Sequence, residues 1–278
     1  MGDYGKHFKR PAFHLLKSTW QLLVEEYLDK YRIPFEGDMS IFFRERESIK
    51  TKIVNSPLAN AITAVVASNK GYILRECKDD LQHIILALMR LEDINLNGLD
   101  LSFSGLIEVN FSRASLVTTN FHGAALDGAL FSKANLQKAN FSYSNLAGAS
   151  FLRALSRKAN FSYANLAGVG FNDADLRGAN FSYANLNATC ENWKHVNLGR
   201  GIGNFNNADL RDADFTNAYI EGMLFNNKTK TDDNTKILVY DEQNKKPDAE
   251  ATISLRLKLK ETGLILPDWM YSSVNKPS

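Results

Sequence analysis

The sequence lacks the features that define disulfide-rich, membrane-spanning and secreted proteins. It contains only two cysteines among 278 residues, Cys77 and Cys190, and they lie in segments of different character. This usage argues against a disulfide framework and for a reducing, cytoplasmic environment. No apolar run reaches the roughly 18 residues that a membrane helix needs, so no membrane span is predicted. The apolar stretch near the N-terminus is interrupted by His14 and Lys17 and is not typical of a signal peptide.

The chain also lacks a strong net charge and any constellation of catalytic residues. Its formal charge is +2, which does not call for nucleic acid or an anionic membrane as a partner. The five histidines are scattered without metal-ligand spacing, and the Gly-rich string at 199–205 opens no predicted helix. We therefore predict no catalytic site, no metal and no cofactor, and a protein that is not an enzyme.

Residues 1–88 have the pattern of a small α-helical domain. In the stretch 11–32, leucines and tyrosines follow Pro11 along one broad face, as in an amphipathic helix. Further helices are predicted within three shorter stretches, 39–54, 57–68 and 79–90.

From residue 91 the large apolar residues recur every five positions, a period that fits neither a helix nor a strand. An Asn or Asp usually precedes each of these centres, and an Ala often precedes that residue, so the unit reads A(N/D)(L/F)xx. Leu and Phe alternate from Leu106 to Phe151, and the phase resumes after a defect at Ser156. We expect a shifted register that includes Trp193 and Leu198 and then continues from Phe205 to Phe225, for about 27 units in all.

The period of five has a simple physical interpretation. If each unit forms one short side and a corner, four units close a square coil of about twenty residues with the large centre and the Ala inside. Alternation of Phe and Leu then places Phe on two opposite sides and Leu on the other two. Each coil buries its faces only by stacking on its neighbours, and at about 4.8 Å per coil nearly seven coils form a rod of about 30 Å.

Residues 91–225, with their run of A(N/D)(L/F)xx units, resemble the pentapeptide-repeat family. The resemblance implies a right-handed quadrilateral β-helix, and hence a mainly β protein with additional α structure. The predicted domains are an α-helical domain at 1–88 that caps the solenoid, a pentapeptide-repeat β-helix at 89–226, and a C-terminal cap at 227–278. The flanking segments resemble no family that we can name.

The C-terminal segment gives mixed signals. We predict a polar exit loop at 226–236 and a short strand at 237–240. In 248–263, apolar and polar residues alternate as in a strand, but an Asp at the start and a Gly at the end are typical of a helix. We favour the helix, and either element would cover the open edge of the last coil.

Twenty-residue periodicity aligns side chains into columns on the outside of the rod. Tyr143, Tyr163 and Tyr183 form one such column, a predicted tyrosine ladder. Tyrosine is common at binding hot spots, so the ladder is a candidate partner-binding surface. The alternative is that the rings only stack on each other and stabilise the rod.

Basic residues form two further columns. Arg113, Lys133 and Arg153 make one, Lys138 and Lys158 the other, and Arg157 lies beside them. A mixed, solvated face is the common meaning of such charges, whereas a partner with acidic groups would explain why like charges are aligned.

The defect ALSRK at 154–158 puts Ser156 where a Leu belongs and Leu155 one position early. Two arrangements are open: the chain slips so that Leu155 points inward, or Ser156 faces inward beside a small gap.

We expect a non-catalytic scaffold that binds a protein partner through these columns. The family resemblance also implies two alternatives, a bacterial effector delivered into a host cell and a DNA-mimicking protein that protects a topoisomerase such as gyrase. A DNA mimic needs a strongly negative surface, yet residues 91–225 contain 12 acidic and 10 basic residues. Nucleic acid is disfavoured as a partner because the basic columns are short. The chain is expected to be a monomer or an end-to-end dimer.

Overall fold

A computed structural model describes residues 18, 22, 87–186, 205–218, 225–241, 246–261, 264–266 and 268–272. Ser18 and Leu22 are helical and exposed, in agreement with the predicted helix at 11–32. The other residues of the predicted N-terminal helices lie outside the described part, except 87–90. Those four residues belong to the coil instead, because Arg90 pairs with Asn110.

The central region is a repeat solenoid with four sides per coil. Single-residue parallel bridges join positions twenty apart, beginning with Arg90 and Asn110 and continuing to Asn165 and Asn185. Each side is too short to form an extended strand. In the described residues the named strands are β1 (Tyr240–Asp241) and β2 (Lys246–Pro247), which pair antiparallel in the C-terminal segment.

Each corner is a tight turn that begins at the large inward residue. In the unit that starts at Phe111, the amide of Ala114 donates to the carbonyl of Phe111 at 3.0 Å, and Arg113 between them has φ 62°. A positive φ at the third residue is typical of a type II turn. In each five-residue unit from 91 to 186 the backbone turns at the same place, and the third residue has a positive φ and lies at a corner.

The interior confirms the alternation of Phe and Leu between sides. Phe141 and Phe161 stack at 5.0 Å with 2° between their planes, whereas Phe141 meets Phe151 edge-on at 5.7 Å. Stacked rings belong to successive coils, and edge-on pairs join the two opposite sides. The leucine and phenylalanine centres from Leu91 to Leu186, five residues apart, and the alanines two positions before them are almost fully buried, which gives the rod one continuous core.

The register shifts between Leu186 and Phe205, as the sequence predicts. Phe205 stacks on Phe171 at 5.1 Å, and Asp175 pairs with Asp209. These positions are 34 residues apart, rather than twenty. Trp193 and Leu198, predicted as centres, lie outside the described residues.

The prediction of a polar exit loop at 226–236 is wrong. Lys230 pairs with Asp209 and Lys236 pairs with Asp214, so the coil continues through two six-residue units. Thr229 is buried where other units have Ala, and its hydroxyl donates to the carbonyl of Phe205 at 3.0 Å. Polar residues therefore continue the coil because the threonine hydroxyl finds a backbone acceptor inside.

The C-terminal segment contains the helix α1 (Ala249–Glu261) and a short 3-10 helix (Asp268–Tyr271). Asp248 caps α1, since its carboxylate accepts a hydrogen bond from the amide of Ala251 at 2.9 Å. This confirms the helix that the sequence favours over the strand. Leu259 and Met270 belong to the same buried cluster as the solenoid core.

Candidate interaction surface

The outward residues form columns at the corners, because each corner residue repeats twenty positions later. One coil illustrates the arrangement: its four corners are Lys138, Tyr143, Gly148 and Arg153, five residues apart, and Lys158 repeats the first of them in the next coil. All five residues have φ between 56° and 65°. We call the column of Tyr143, Tyr163 and Tyr183 the aromatic corner. The column of Arg113, Lys133 and Arg153 is the first basic corner, and that of Lys138 and Lys158 is the second.

The tyrosines of the aromatic corner form an outward ladder in which the rings also stack on each other. Ring centroids are 4.8 Å apart between Tyr143 and Tyr163 and 4.7 Å apart between Tyr163 and Tyr183, with 3° between the planes in both pairs. Because the ring faces cover each other, the ring edges and hydroxyl ends form most of the accessible surface. The three residues are nevertheless 59%, 47% and 39% exposed.

The aromatic corner extends further than the tyrosines. His122 meets Tyr143 at 5.4 Å, and Phe103 meets His122 edge-on at 5.2 Å. Phe103 also covers Gly123, where an added Cβ would lie 2.6 Å from its ring. Sequence analysis missed Phe103 and His122, although Phe103 lies forty residues before Tyr143 and thus shares its phase.

Between the second basic corner and the aromatic corner lies a polar face built on an asparagine ladder. The side-chain amide of Asn140 donates to Asn120 at 2.9 Å, and that of Asn160 donates to Asn140 at 3.2 Å. The ladder starts at Asp100, which accepts from Asn120 at 2.9 Å. These amides therefore bind each other along the rod and link successive coils.

The three arginines of the predicted basic columns are neutralised by aspartates of adjacent coils. Arg113 forms two hydrogen bonds with Asp93, at 2.8 and 2.6 Å, and Arg153 lies 3.5 Å from Asp173. The hydrogen bonds from Arg113 hold the pKa of the Asp93 carboxyl below its usual value. Arg157 bonds to Asp175 at 2.5 Å. Residues 128–172 contain five basic residues and no acidic residue. Sequence analysis missed the partners of Arg153 and Arg157 because both aspartates lie just beyond this acid-free stretch.

The three lysines differ from the arginines. Within the described part of the chain, no carboxylate lies within 4.0 Å of the ammonium groups of Lys133, Lys138 and Lys158. The stem of Lys158 lies over Gly178, where an added Cβ would approach its Cγ to 3.3 Å. The uncompensated positive charge is therefore concentrated on these three lysines.

The structure decides between the two arrangements at the ALSRK defect. Ser156 faces inward and is fully buried, and Leu155 is 43% exposed. The Ser156 hydroxyl has no hydrogen-bond partner, although its backbone amide donates to Asp175 at 2.8 Å. The chain therefore keeps its register and accepts a serine in the leucine row between Leu136 and Leu176.

Ser156→Leu is expected to stabilise the protein by about 2 kcal/mol, because it restores apolar contacts in that row and removes a buried unpaired hydroxyl. Ser156→Ala separates the two effects and is expected to stabilise by about 1 kcal/mol through the hydroxyl alone. Denaturant unfolding followed by circular dichroism measures both. A Ser156→Leu protein less stable than the parent would show that the row has no room for the larger side chain.

Neither a metal site nor a membrane-spanning helix is found in the described residues. They contain no group of three or more His, Cys, Asp or Glu side chains placed to hold a metal ion. None of the helices among them combines the length and the apolar character that crossing a bilayer requires.

The comparisons with known proteins agree with this architecture. The family described as pentapeptide repeats matches in eight copies over 86–123, 94–132, 114–153, 157–190 and 203–227. The central region of the chain is a four-sided repeat solenoid, and it belongs to the pentapeptide-repeat family. No curated protein matches the sequence.

Solved structures that resemble the chain include other pentapeptide-repeat proteins. One from the thylakoid lumen of Arabidopsis thaliana is 28% identical, with a TM-score of 0.30, covering 36% of this chain and 73% of that one. HetL, involved in heterocyst differentiation regulation in the cyanobacterium Nostoc, is 22% identical, with a TM-score of 0.26 and coverages of 58% and 93%. QnrB1, a plasmid-mediated fluoroquinolone resistance protein, is 18% identical, with a TM-score of 0.25 and coverages of 66% and 92%.

Proposed function

We propose that this protein is a non-catalytic scaffold that binds a protein partner through the aromatic corner of its solenoid. The observation that carries the proposal is the continuous aromatic column formed by the exposed Phe103, the half-buried His122 and the three exposed, stacked tyrosines. Tyrosine offers a large contact area at a low entropic cost, and stacking fixes these rings before a partner arrives.

The backbone conformation at this corner supports the proposal. Tyr143, Tyr163 and Tyr183 have φ values of 58° to 59°, in the left-handed region that glycine and asparagine occupy most readily. A bulky residue there costs about 1 to 2 kcal/mol relative to its right-handed conformation. Asn217, in a later coil of the same column, has φ 53° and shows that a small polar residue fits the corner. Three tyrosines at such positions are consistent with selection for their side chains.

The alternative of a DNA mimic is not supported by the distribution of charge. A mimic of duplex DNA presents rows of negative charge, whereas the lysines of the two basic corners carry positive charge without a carboxylate partner in the described residues. The aspartates near them are engaged with arginines. We therefore favour a protein partner over topoisomerase protection by DNA mimicry.

The test compares the intact chain with a variant carrying Tyr143→Asn, Tyr163→Asn and Tyr183→Asn. Asparagine suits the left-handed corner, so the variant is expected to keep the fold, which circular dichroism checks. Thr118→Asn, at another corner with φ 57°, serves as the matched control. Both variants and the parent are used for affinity capture from nuclease-treated bacterial and eukaryotic lysates, with quantitative mass spectrometry.

We expect the parent and the Thr118→Asn variant to capture the same protein in similar amounts. The amount captured by the tyrosine variant should be lower by tenfold or more. Nuclease treatment excludes capture through nucleic acid. Equal retention of every partner by the tyrosine variant would overturn the proposal, and the stacked rings would then be a stabilising feature only.

A further inference from the structure

The face between the two basic corners carries one exposed leucine in an otherwise polar row. Leu155 pairs with Asn135 in the preceding coil and with Asp175 in the following one, and it is 43% exposed. The same row contains Asn95, Ser115, Asn135, Asp175, Asp209 and Lys230. An apolar side chain at this position leaves its surface in water, where the other members of the row are polar.

The next residue, Ser156, has the opposite mismatch, because it is polar and fully buried. In the repeat pattern a polar residue precedes the inward leucine, but here Leu155 is outside and Ser156 is inside. The exchange is unfavourable on both sides of the backbone, because it exposes apolar surface and buries a hydroxyl that has no partner. Violations of a local rule that reduce stability are expected at functional sites. Two independent observations therefore point to the same position.

In its own coil and in the preceding one, cations occupy the corners on either side of Leu155, whereas the corners of the following coil are Asp173 and Gly178. In its own coil the corners are Arg153 and Lys158, and in the preceding coil they are Lys133 and Lys138, about 4.8 Å away along the rod. Backbone hydrogen bonds fix this register. The amide of Lys133 donates to the carbonyl of Leu152 at 2.8 Å, and the amide of Lys138 donates to the carbonyl of Arg157 at 2.9 Å. Arg153 is engaged with Asp173, whereas the three lysines have no carboxylate partner among the described residues.

We propose that Leu155, Lys133, Lys138 and Lys158, which we call the Leu155 patch, bind an acidic protein segment that contains a large apolar side chain. Leu155 supplies the apolar contact, and the lysines attract and orient the carboxylates around it. This inference rests on the proposed function and specifies the chemistry of a partner.

The combination of groups favours such a segment over other anionic partners. A nucleic acid backbone would use the lysines but gains little from a single leucine beside them. An acidic segment with a Leu, Ile or Phe satisfies both features, because the apolar contact is desolvated while the surrounding charges remain at a polar rim. Charge complementarity also predicts that association weakens as the salt concentration rises.

The experiment uses the full chain and a random library of displayed 12-residue peptides. Selection on the parent is followed by counter-selection on the variant Leu155→Asn, which copies Asn135 in the adjacent coil and should fold normally. The selected peptides are synthesised, and their Kd values are measured by fluorescence anisotropy against the parent, Leu155→Asn, Lys158→Glu and Ser156→Leu.

We expect the selected peptides to be acidic and to contain at least one large apolar residue. Their Kd should rise at least tenfold for Leu155→Asn and for Lys158→Glu, and it should rise with salt for the parent. Ser156→Leu, which changes only the interior, should leave the Kd within twofold. The tyrosine variant described above is the second control and should bind the peptides as the parent does.

Three results would overturn the inference: selected peptides without an acidic bias, affinity that is unchanged by Leu155→Asn, or no enrichment over the counter-selected variant. If the tyrosine variant loses its cellular partner while Leu155→Asn keeps it, the scaffold function stands and the Leu155 patch is not part of the binding surface. If the peptides bind as expected but the tyrosine variant keeps all partners, the aromatic corner is not the recognition surface.

Discussion

Phe161→Ala is expected to destabilise the protein by about 3 to 5 kcal/mol, as large-to-small changes at buried phenylalanines commonly do. The Phe161 ring stacks at 5.0 Å on both Phe141 and Phe181 and meets Phe151 edge-on at 5.5 Å. Removing it leaves a cavity in the middle of the rod, where neighbouring coils on both sides are held by their own backbone bridges and cannot collapse inward. Denaturant unfolding followed by circular dichroism gives the change in the free energy of unfolding.

Tyr163→Ala is the matched control, because Tyr163 lies two residues away and is also stacked on two rings. Its ring is on the outside, so its removal loses stacking but creates no cavity, and a loss of about 1 kcal/mol or less is expected. Equal losses for the two variants would contradict the assignment of Phe161 to the core. They would also show that the aromatic corner contributes as much stability as the interior.

Arg256→Ala is expected to release the C-terminal helix from the solenoid, at a cost of about 3 kcal/mol or more. Arg256 is almost fully buried, and its guanidinium donates to the carbonyls of Ile237 at 2.9 Å and Met270 at 3.0 Å. Burial lowers the pKa of this guanidinium. The substitution leaves a cavity and two carbonyl groups without these donors. Amide hydrogen exchange measures the result as a loss of protection in α1 of about a hundredfold or more.

Lys258→Ala is the control on the same helix, because Lys258 is exposed. It should change the exchange rates of α1 by little, as surface substitutions usually do. Unaltered protection of α1 in the Arg256→Ala protein would mean that the apolar contacts of Leu259 and Met270 alone hold the helix in place.

The repeat could be predicted from the sequence because its rule is local and is repeated many times. A large residue every fifth position is compatible with four sides per coil, and the structure confirms both the twenty-residue pairing and the separation of Phe from Leu. The tyrosine ladder follows from the same period, since residues twenty apart must lie above one another. A property that depends on the period alone, such as which residues lie above one another, can be predicted from the sequence.

The charges of the candidate surface were less predictable, because they depend on how side chains reach between coils. The sequence shows an acid-free stretch with aligned cations, but Arg153 and Arg157 extend to Asp173 and Asp175 in the next coil. Lysines in the same columns remain without carboxylate partners among the described residues. Periodicity places each residue on a corner, whereas the direction and length of its side chain decide which charge it meets.

By itself, the sequence determined the inward and outward positions of the rod from 91 to 186, except at Leu155 and Ser156, and it contained the helical signal at Asp248. Only the tertiary structure decided the ends of the coil and the face of α1. Polar residues at 226–236 continue the coil, because Thr229 and Thr235 donate their hydroxyls to backbone carbonyls inside it. On α1 the buried face includes Thr252 and Arg256, while Leu257 is 45% exposed. Apolar patterning does not reveal such a face, because its polar groups are buried only where the solenoid and the 3-10 helix supply acceptors for them.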